Sequence, residues 1–307
     1  MSNNNPSLVF FGTSDFAATI LSALLDSTEF KSSVASVVTR PDEPIGRKHV
    51  ITPPPVKLLA VKHHLPVLQP EKLDQNFIHQ LKKINADIFI VADYGQIIPT
   101  AILNLPKYKP LNIHISLLPK YRGASPMQTA LLNGDRETGI SIIELMPLLD
   151  QGPIIAQQIV SINPDDNHAT LRLRMAGLSA ALLQKILPDF IQGKITPVSQ
   201  DDSRATYTAL INKKDGLIPV NKTAEETYNM WRAYTPWPGI FLTDGLKLLN
   251  TERTDLTSQT NAPLTLFVQN QNLFLQCANG TCLKINLLQP PGKKPMDARS
   301  FINGYLK

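Results

Sequence analysis

The sequence predicts an α/β protein in which a doubly wound, mixed and mostly parallel sheet is followed by a small β-barrel. Short β-rich runs alternate with helical patterns through the first two hundred residues, as an α/β sheet requires. The segment 196–210 is polar and breaks this alternation, and the chain beyond it holds several short strands separated by turn residues, which fits a small barrel. A length of 307 residues also favours two domains, which we place at 1–205 and 206–307.

The first ninety residues contain four predicted strands and three predicted helices. SLVFFG at 7–12 is an apolar strand that ends at a glycine, and Asp15 then begins an amphipathic helix that runs to Leu25. The apolar, β-branched run SSVASVVT at 32–39 predicts the second strand. The same patterns predict a helix at 55–64, a short strand at 65–70, a helix at 73–85 and a buried strand at 86–92.

The next hundred residues continue the α/β pattern. The predicted elements are a strand at 110–116, a helix at 126–134, strands at 139–146 and 153–162, and a long helix at 169–193. Because 34 residues separate Ser116 from Asp150, a length that suits a strand–helix–strand crossover of roughly 30 residues, we expect strand 139–146 to run parallel to strand 110–116. The short link at 147–153 then predicts that strand 153–162 runs antiparallel, which makes the sheet mixed.

The C-terminal part has a helical stretch at 224–234 and a hairpin whose turn lies at Asn279-Gly280, a sequence typical of a type I′ turn. Cys277 and Cys282 flank this turn, and we expect them to face each other across the two strands. That spacing would permit a disulfide, but two small buried thiols are favoured in a reducing cytosol. One C-x4-C pair does not make a zinc site.

Composition excludes several classes of protein. With 43% hydrophobic and 18% charged residues, the chain can bury a core and is not disordered. No apolar run approaches the ~20 residues of a membrane span, and the polar start MSNNNPS is not a secretory signal, so we expect a cytoplasmic protein without a membrane partner. The net charge of +5 is uneven, since residues 206–307 hold 11 Lys and Arg against 7 Asp and Glu. This fits either a polyanionic partner or a solvated basic surface.

Polar side chains interrupt the strand predicted at 110–116. Asn112, His114 and Ser116 alternate with apolar residues, so they share one face of the strand. A half-exposed antiparallel strand would explain the alternation, but a central strand of a doubly wound sheet is covered on both faces. Polar groups there cost roughly 1–3 kcal/mol each when unpaired. They lie near the carboxyl end of the strand, the edge at which open α/β sheets bind ligands.

A second polar intrusion follows strand 139–146, where Asp150 stands on a tight turn with Gly152 and Pro153. An Asn, a His and an Asp at one edge of a sheet suit acyl or formyl transfer. An amide N–H and an imidazolium can stabilise a developing oxyanion, and a carboxylate can help to remove the proton of an attacking amine. Taken singly, Asp150 is equally well a turn residue, His114 a core histidine and Asn112 a strand-end cap.

Two other kinds of site are disfavoured. Gly12-Thr13-Ser14 follows the first strand but lacks the three glycines of a dinucleotide-binding turn, and the second strand ends in Arg40 rather than in an acidic residue. The six histidines form no ligand pair at helical spacing around an acid, so we expect no metal site.

The motif N-I-H-I-S-L-L-P followed by R-G-A-S-P, with L-D-Q-G-P downstream, resembles the folate-dependent formyltransferases, and within that family those that act on methionyl-tRNA. The resemblance covers nearly the whole chain. It extends to VFFGTSDFA, TRPDEPIGR, ADYGQIIP, YTPWPG at 234–239 and LQPPGKKPMDARSFINGY. It implies a Rossmann-like formyltransferase domain and an OB-like C-terminal barrel that binds tRNA.

The resemblance also implies roles for particular residues. Asn112, His114 and Asp150 match the catalytic trio of the family, and Arg47 with Lys48 matches a basic loop that enters the tRNA acceptor stem. The loop departs from the family pattern in being short and in carrying Glu43. The residues that match folate-binding segments are Ser116, Leu117, Leu118, Pro119, Asp93, Tyr94, Gly95, Gln96 and Ile97, with Asp93 standing where the family often has a small residue.

The function implied is transfer of the formyl group of 10-formyltetrahydrofolate to the amino group of methionine on initiator tRNA, by a protein that need be no more than a monomer. Two alternatives stay open at this point. One is a formyltransferase that acts on a nucleotide amino-sugar. The other is an RNA-binding protein without catalytic activity, for which an Asn, His and Asp set would have no use.

Overall fold

The computed structural model describes residues 6–46, 49–258 and 262–306. The predicted tRNA-binding residues Arg47 and Lys48 lie outside the described residues. The strands are β1 (Leu8–Gly12), β2 (Val34–Val38), β3 (Glu43–Ile45), β4 (Val50–Thr52), β5 (Val67–Leu68), β6 (Ile88–Ala92), β7 (Leu111–His114), β8 (Arg122–Gly123), β9 (Glu137–Glu144), β10 (Ile154–Ser161), β11 (Tyr207–Thr208), β12 (Ile240–Phe241), β13 (Lys247–Thr257), β14 (Leu266–Gln269), β15 (Asn272–Gln276), β16 (Thr281–Gln289) and β17 (Met296–Asp297). The helices are α1 (Asp15–Asp26), α2 (Pro55–Lys62), α3 (Gln75–Ile84), α4 (Thr100–Leu103), α5 (Pro126–Leu132), α6 (His168–Ile191), α7 (Ala224–Tyr234) and α8 (Ala298–Tyr305).

The chain forms two compact units. Unit 1 comprises residues 1–123, 139–160 and 172–207, and unit 2 comprises residues 124–138, 161–171 and 208–307. The last crossing between the units therefore lies close to the predicted domain boundary at 205/206. Two shorter segments, 124–138 and 161–171, pack with the C-terminal residues, and the sequence pattern does not predict this. The boundary itself stays a prediction about separately folding domains.

Unit 1 is built on a seven-stranded sheet with the order β10-β9-β7-β6-β1-β2-β5. The pairs β1–β2, β1–β6, β2–β5 and β6–β7 are all parallel. Every residue of β1 and β6 is buried, as expected for strands covered on both faces. The predicted α/β class and the mixed, mostly parallel sheet are confirmed.

One topological prediction is wrong, because β9 runs antiparallel to β7, with Leu111 opposite Glu144 and His114 opposite Ser141. The chain between β7 and β9 is therefore not a parallel crossover. The 34-residue spacing fits either connection, and spacing alone does not fix strand direction. Residues 145–152 form a loop whose ends meet where Glu144 N donates to Pro153 O at 2.9 Å. This loop, rather than the end of a parallel strand, carries Asp150 back to β7.

Two helices of unit 1, α1 and α3, begin at residues whose side chains cap them. Ser14 caps α1 by accepting a hydrogen bond from Ala17 N, and Asp74 caps α3 by accepting one from Phe77 N. Helix α1 buries an apolar stripe that includes Phe16, Ile20 and Leu24. The caps and the stripe explain why the sequence predicts these helices to within two residues.

A short antiparallel hairpin of β3 and β4 follows the second strand, in a region that the sequence pattern indicates only as a loop. Glu43 lies opposite Thr52 and Ile45 opposite Val50, and Gly46 has a φ of +72° beyond the end of β3. A proline within the hairpin and the three-residue length of its strands hide it from pattern analysis.

Unit 2 contains an antiparallel sheet in the order β12-β13-β16-β15-β14, with β17 also paired to β16. This antiparallel sheet is consistent with the small β-barrel that the sequence predicts for the C-terminal part, and the predicted helix 224–234 is confirmed. The described pairings run as an open path from β12 to β14, so closure into a barrel is not among them. Helix α7 has a complete capping box between Thr223 and Glu226.

The two cysteines are free and buried, as expected for thiols. They do not face each other, because Gln276 lies opposite Cys282 and Cys277 N donates to Thr281 O. Asn279 and Gly280 both have positive φ values of 56° and 69°, which agrees with the predicted type I′ turn. Burial raises the pKa of the Cys277 thiol to about 11. Across the described ranges, no helix has both the length and the hydropathy to span a membrane.

Candidate active site

Strand β7 places two of the three predicted catalytic side chains in unit 1. Asn112 is half-buried and His114 is only 6% exposed, and both lie on the same face of the strand, opposite to Leu111 and Ile113. The strand ends at His114, so Ser116 lies in the following turn and not on the strand as predicted.

Asp150 lies beside both of these side chains. Its Oδ2 is 3.5 Å from His114 Nδ1, and its Oδ1 is 3.4 Å from Asn112 Nδ2. The backbone N–H of Gly123 donates to Oδ2 at 2.9 Å, and Asp150 is 8% exposed. The three predicted residues therefore converge. The two side-chain distances are at the long end of the range for hydrogen bonds.

The conformation of the Asp150 loop explains how a carboxylate is held there. Asp150 has a φ of +51°, a conformation that side chains with a Cβ rarely adopt. Two residues later, a Cβ at Gly152 would lie 1.7 Å from Glu144 O, so only glycine permits this approach of the two backbones. Gly152 is thus required by the geometry of this loop.

The second ring nitrogen of His114 fixes its tautomer. Nε2 lies 2.9 Å from the carbonyl oxygen of Tyr121, which can only accept a hydrogen bond. Nε2 must then carry a hydrogen, and Nδ1 is the nitrogen that faces Asp150.

Gln200 joins the two segments that contact the catalytic side chains, and the sequence pattern does not identify it. Its Nε2 donates to the carbonyl oxygens of Asp150 and Gly152 at 2.7 and 2.8 Å. Its Oε1 accepts from Arg122 at 3.1 and 2.8 Å, and Arg122 is 1% exposed. In the sequence, Gln200 is one polar residue among many in the segment 196–210. The composition of that segment indicates a domain boundary and not a site.

Arg122 is a scaffold residue with partners beyond Gln200. It donates to Asp202 Oδ1 at 2.6 Å and to Tyr207 Oη at 3.2 Å. The adjacent backbone continues this anchoring, because Arg122 N donates to Thr206 O at 2.8 Å. Residues 121–123 contact both His114 and Asp150, and the hydrogen bonds of Arg122 therefore hold this segment in place.

The predicted folate segment after β7 is a tightly bonded turn. Ser116 Oγ donates to Lys120 O at 2.6 Å, and Ser116 is fully buried. Ser141 Oγ donates to Ser116 O and accepts from Leu118 N, and Gln157 Nε2 donates to Leu118 O. Leu117 and Pro119 are half-buried. These two apolar side chains have accessible surface in the turn, whereas the Ser116 hydroxyl stabilises the turn itself.

The second predicted folate segment, residues 93–98, alternates between buried and accessible side chains. Tyr94 is 2% exposed and packs edge-on against Phe11, and burial raises its pKa to about 12. Ile97 is 87% exposed, and Gly95 has a φ of +84°. The Asp93 carboxylate accepts from Ser14 Oγ at 2.5 Å and from Arg172 Nη2 at 2.6 Å. The Asp93 side chain, at the start of this segment, is therefore held in place by Ser14 and Arg172.

The hairpin of β3 and β4 is fixed at its base by a polar cluster on Asp42. Lys57 Nζ donates to both oxygens of the Asp42 carboxylate at 2.8 and 2.7 Å, and Gln69 Nε2 donates to Oδ1 at 2.8 Å. The hydrogen bonds of Gln69 and Lys57 lower the pKa of Asp42 below its usual value of 3.8. Gln69 also donates to Arg40 O, which fixes the entry to the hairpin.

In the parts of the chain that the structure describes, no group of three or more His, Cys, Asp or Glu side chains is arranged to hold a metal ion.

Comparison with protein families gives matches over both parts of the chain. Residues 7–187 match the family described as formyl transferase, and residues 210–306 match its C-terminal domain. A methionyl-tRNA formyltransferase of Caldicellulosiruptor saccharolyticus is 40% identical over 305 residues, covering 97% of this chain and 96% of the relative. The methionyl-tRNA formyltransferase of Halalkalibacterium halodurans is 40% identical over 302 residues, covering 97% of this chain and 94% of that protein.

Solved structures share the fold at lower identity. The sugar 3N-formyl transferase WlaRD, crystallised with dTDP and 5-N-formyl-THF, superposes with a TM-score of 0.68 at 18% identity over 94% of this chain and 99% of that one. HypX from Aquifex aeolicus, in complex with tetrahydrofolic acid, gives a TM-score of 0.61 at 14% identity over 98% of this chain and 48% of that one. At these identities the likeness concerns the fold alone.

Proposed function

This chain belongs to the formyl transferase family, and from that membership we propose that it transfers the formyl group of 10-formyltetrahydrofolate to the amino group of methionyl initiator tRNA. Relatives of this name at 40% identity over almost the full length support the proposal. The observation that carries it is the convergence of Asn112, His114 and Asp150 on one face of β7.

The reaction requires an electrophile, an oxyanion site and a base. The neutral amine of the methionyl group forms a bond to the formyl carbon, and the electrons of the carbonyl double bond move to its oxygen. Collapse of this intermediate breaks the bond between the carbon and N10 of the folate. The attacking nitrogen loses a proton and N10 gains one, so the exchange is balanced without an oxidant or a reductant.

The three side chains divide this work. Asn112 Nδ2 donates to the oxyanion, and the positive charge of a protonated His114 ring stabilises it, which is the step at which such groups contribute most. Asp150 orients His114 through Nδ1 and assists the removal of the amine proton. The Tyr121 carbonyl accepts a hydrogen bond from the other ring nitrogen and so helps to keep the ring in its orientation.

The folate is held by the two segments near the site. Leu117 and Pro119 in the turn 116–119 offer apolar surface to the ring system, and Ser116 and Leu118 keep that turn in place. The loop with Asp93, Tyr94, Gly95, Gln96 and Ile97 edges the pterin with its backbone, and Ile97 contributes exposed apolar surface.

The initiator tRNA is bound by the hairpin and by the C-terminal part of the chain. Arg47 and Lys48 contact the acceptor stem, and the basic excess of residues 206–307 neutralises phosphates. The protein acts as a monomer in the cytoplasm.

A single assay tests the proposal. Purified protein is given 10-formyltetrahydrofolate with one of three acceptors, namely methionyl initiator tRNA, free methionine or a nucleotide amino-sugar, and formylated product is measured. We expect product only with the charged tRNA. Preferred formylation of the amino-sugar would overturn the proposal, and tRNA binding without any formyl transfer would support the RNA-binding alternative.

A further inference from the structure

Four polar side chains meet at the carboxyl ends of β1 and β6. In the strand order of unit 1, the chain moves to one side from β1 to β2 and β5, and then to the other side from β6 to β7. The carboxyl ends of β1 and β6, which pair side by side, therefore mark the point where the strand order reverses, at which open α/β sheets commonly bind a ligand. Here Ser14, Asp15, Asp93 and Arg172 occupy it.

The contacts at these strand ends form a closed network centred on Arg172 of helix α6. Its Nη2 donates to Asp93 Oδ2 at 2.6 Å and to Ser14 Oγ at 2.8 Å, and its Nε donates to Asp15 Oδ1 at 3.1 Å. Ser14 Oγ in turn donates to Asp93 Oδ2 at 2.5 Å. The guanidinium also lies 5.3 Å from the ring centre of Phe16. Arg172 is 20% exposed, so it is largely withdrawn from solvent.

The backbone at Asp93 needs this support. Asp93 has a φ of +46°, a left-handed conformation that is unfavourable for a residue with a Cβ. Thr13 N donates to Asp93 O at 3.2 Å, and Thr13 Oγ1 donates to Tyr94 O at 2.8 Å. The start of the loop 93–98 is thus held by backbone contacts from the β1 side and by the carboxylate contact from α6.

We propose that Arg172 is a positioning residue for the folate, because its bond to the Asp93 carboxylate fixes the left-handed start of the loop 93–98. The proposal rests on the proposed role of this loop in binding the pterin. Arg172 does not touch the reacting atoms in this account. It sets the direction in which the backbone of Gly95, Gln96 and Ile97 leaves the sheet.

The two ion pairs of Arg172 differ in strength: the Asp93 branch of the network is the stronger and the Asp15 branch the weaker. Asp93 is 44% exposed and shares its Oδ2 between Ser14 and Arg172, whereas Asp15 is 79% exposed. Solvent screens the exposed pair more strongly, so the Asp93 branch determines the effect of Arg172. Loss of the Asp15 carboxylate therefore has a smaller effect on folate binding than loss of the Asp93 carboxylate.

The test combines steady-state kinetics with direct binding. Arg172→Met, Asp93→Asn and the double variant are compared with wild type in kcat and in the KM values for the formyl donor and for charged initiator tRNA. Calorimetry gives the Kd of folinic acid for each protein. We expect each single variant to raise KM and Kd for folate roughly fivefold, as loss of a partly exposed charge-assisted bond implies. The double variant is no worse than either single one, since both lose the same contact.

Two controls separate positioning from a general loss of structure. Arg172→Lys keeps the charge and is expected to recover part of the folate affinity. Lys185→Met removes one charge from an exposed position of the same helix and is expected to leave the folate parameters at wild-type values.

Two results would overturn the proposal. One is an unchanged folate Kd in Arg172→Met. The other is a parallel deterioration of folate KM, tRNA KM and kcat together with a lowered Tm, which is the signature of a merely structural role. If the wild-type protein failed to formylate charged tRNA, the proposed function would fail, yet the folinic acid titration would still decide the role of Arg172.

Discussion

The catalytic centre and the β3–β4 hairpin are held in different ways. The Asp150 carboxylate contacts Gly123 N and the side chains of Asn112 and His114, and Gln200 donates a hydrogen bond to the Asp150 backbone carbonyl. The hairpin is tied to unit 1 at its base through Asp42, and its strand residues Val50 and Ile51 are 59% and 61% exposed. One region is buried and bonded on several sides, and the other is accessible and anchored at one end.

This difference follows from what each region is proposed to do. Stabilising an oxyanion requires donors held to within about half an ångström, which only a buried, cross-bonded site provides. Contacts with phosphates depend mainly on charge, so a side chain on an accessible hairpin suffices. The comparison predicts that changes in the centre lower kcat, whereas changes in the hairpin raise KM for tRNA.

The largest effect is expected from the catalytic side chains. Asn112→Ala or His114→Ala should lower kcat about 100-fold or more, because each removes a group proposed to stabilise the oxyanion. Single-turnover formylation of charged initiator tRNA is the measurement. His79→Ala, at an exposed position of α3, is the matched control and should retain wild-type kcat. A near-normal kcat in His114→Ala would refute the role given to this residue.

A smaller effect on kcat is expected from Gln200→Ala. The variant loses two hydrogen bonds to the Asp150 loop and leaves the buried Arg122 with fewer acceptors, so kcat should fall about tenfold. KM for tRNA should stay within about twofold of wild type. If Gln200→Ala instead raised only KM for tRNA, the loop would not depend on this side chain for its catalytic position.

The hairpin anchor should affect KM and not kcat. Asp42→Asn removes the charge that Lys57 contacts, and we expect KM for charged tRNA to rise roughly threefold with kcat at saturating tRNA unchanged. Because the pKa of Asp42 is below its usual value, the anchor is present at neutral pH and is lost only as pH falls below about 4. A fall in kcat of the same size would contradict the separation of the two regions.

The finest distinction comes from salt. If Arg47 neutralises one phosphate, Arg47→Ala should reduce the slope of log affinity against log salt by roughly 0.7 to 0.9. Filter binding of initiator tRNA between low and physiological salt measures this slope. His114→Ala should leave this slope unchanged, because His114 is buried and is proposed to act in formyl transfer and not in phosphate binding. An unaltered slope in Arg47→Ala would remove this residue from the phosphate contacts.

Much of the fold is predictable because local patterns reflect local forces. Apolar runs predict β1 and β6, and capping residues with an apolar stripe predict α1 and α3 close to their observed bounds. The direction of β9 is not predictable, since chain length between two strands permits a parallel or an antiparallel return. The hairpin at 43–52 escapes prediction because strands of three residues carry no periodicity.

The amino-acid pattern identifies the residues that we propose to carry the chemistry, since Asn112, His114 and Asp150 are polar where a covered strand and its neighbouring turn should be apolar. How these residues meet follows from the fold and not from the pattern. The antiparallel return of β9, the loop closed at Gly152 and the Gln200 side chain bring Asp150 to within 3.5 Å of His114. Contacts such as Arg172 with Asp93 join residues 79 positions apart, and no local pattern encodes them because they form only when the chain has folded.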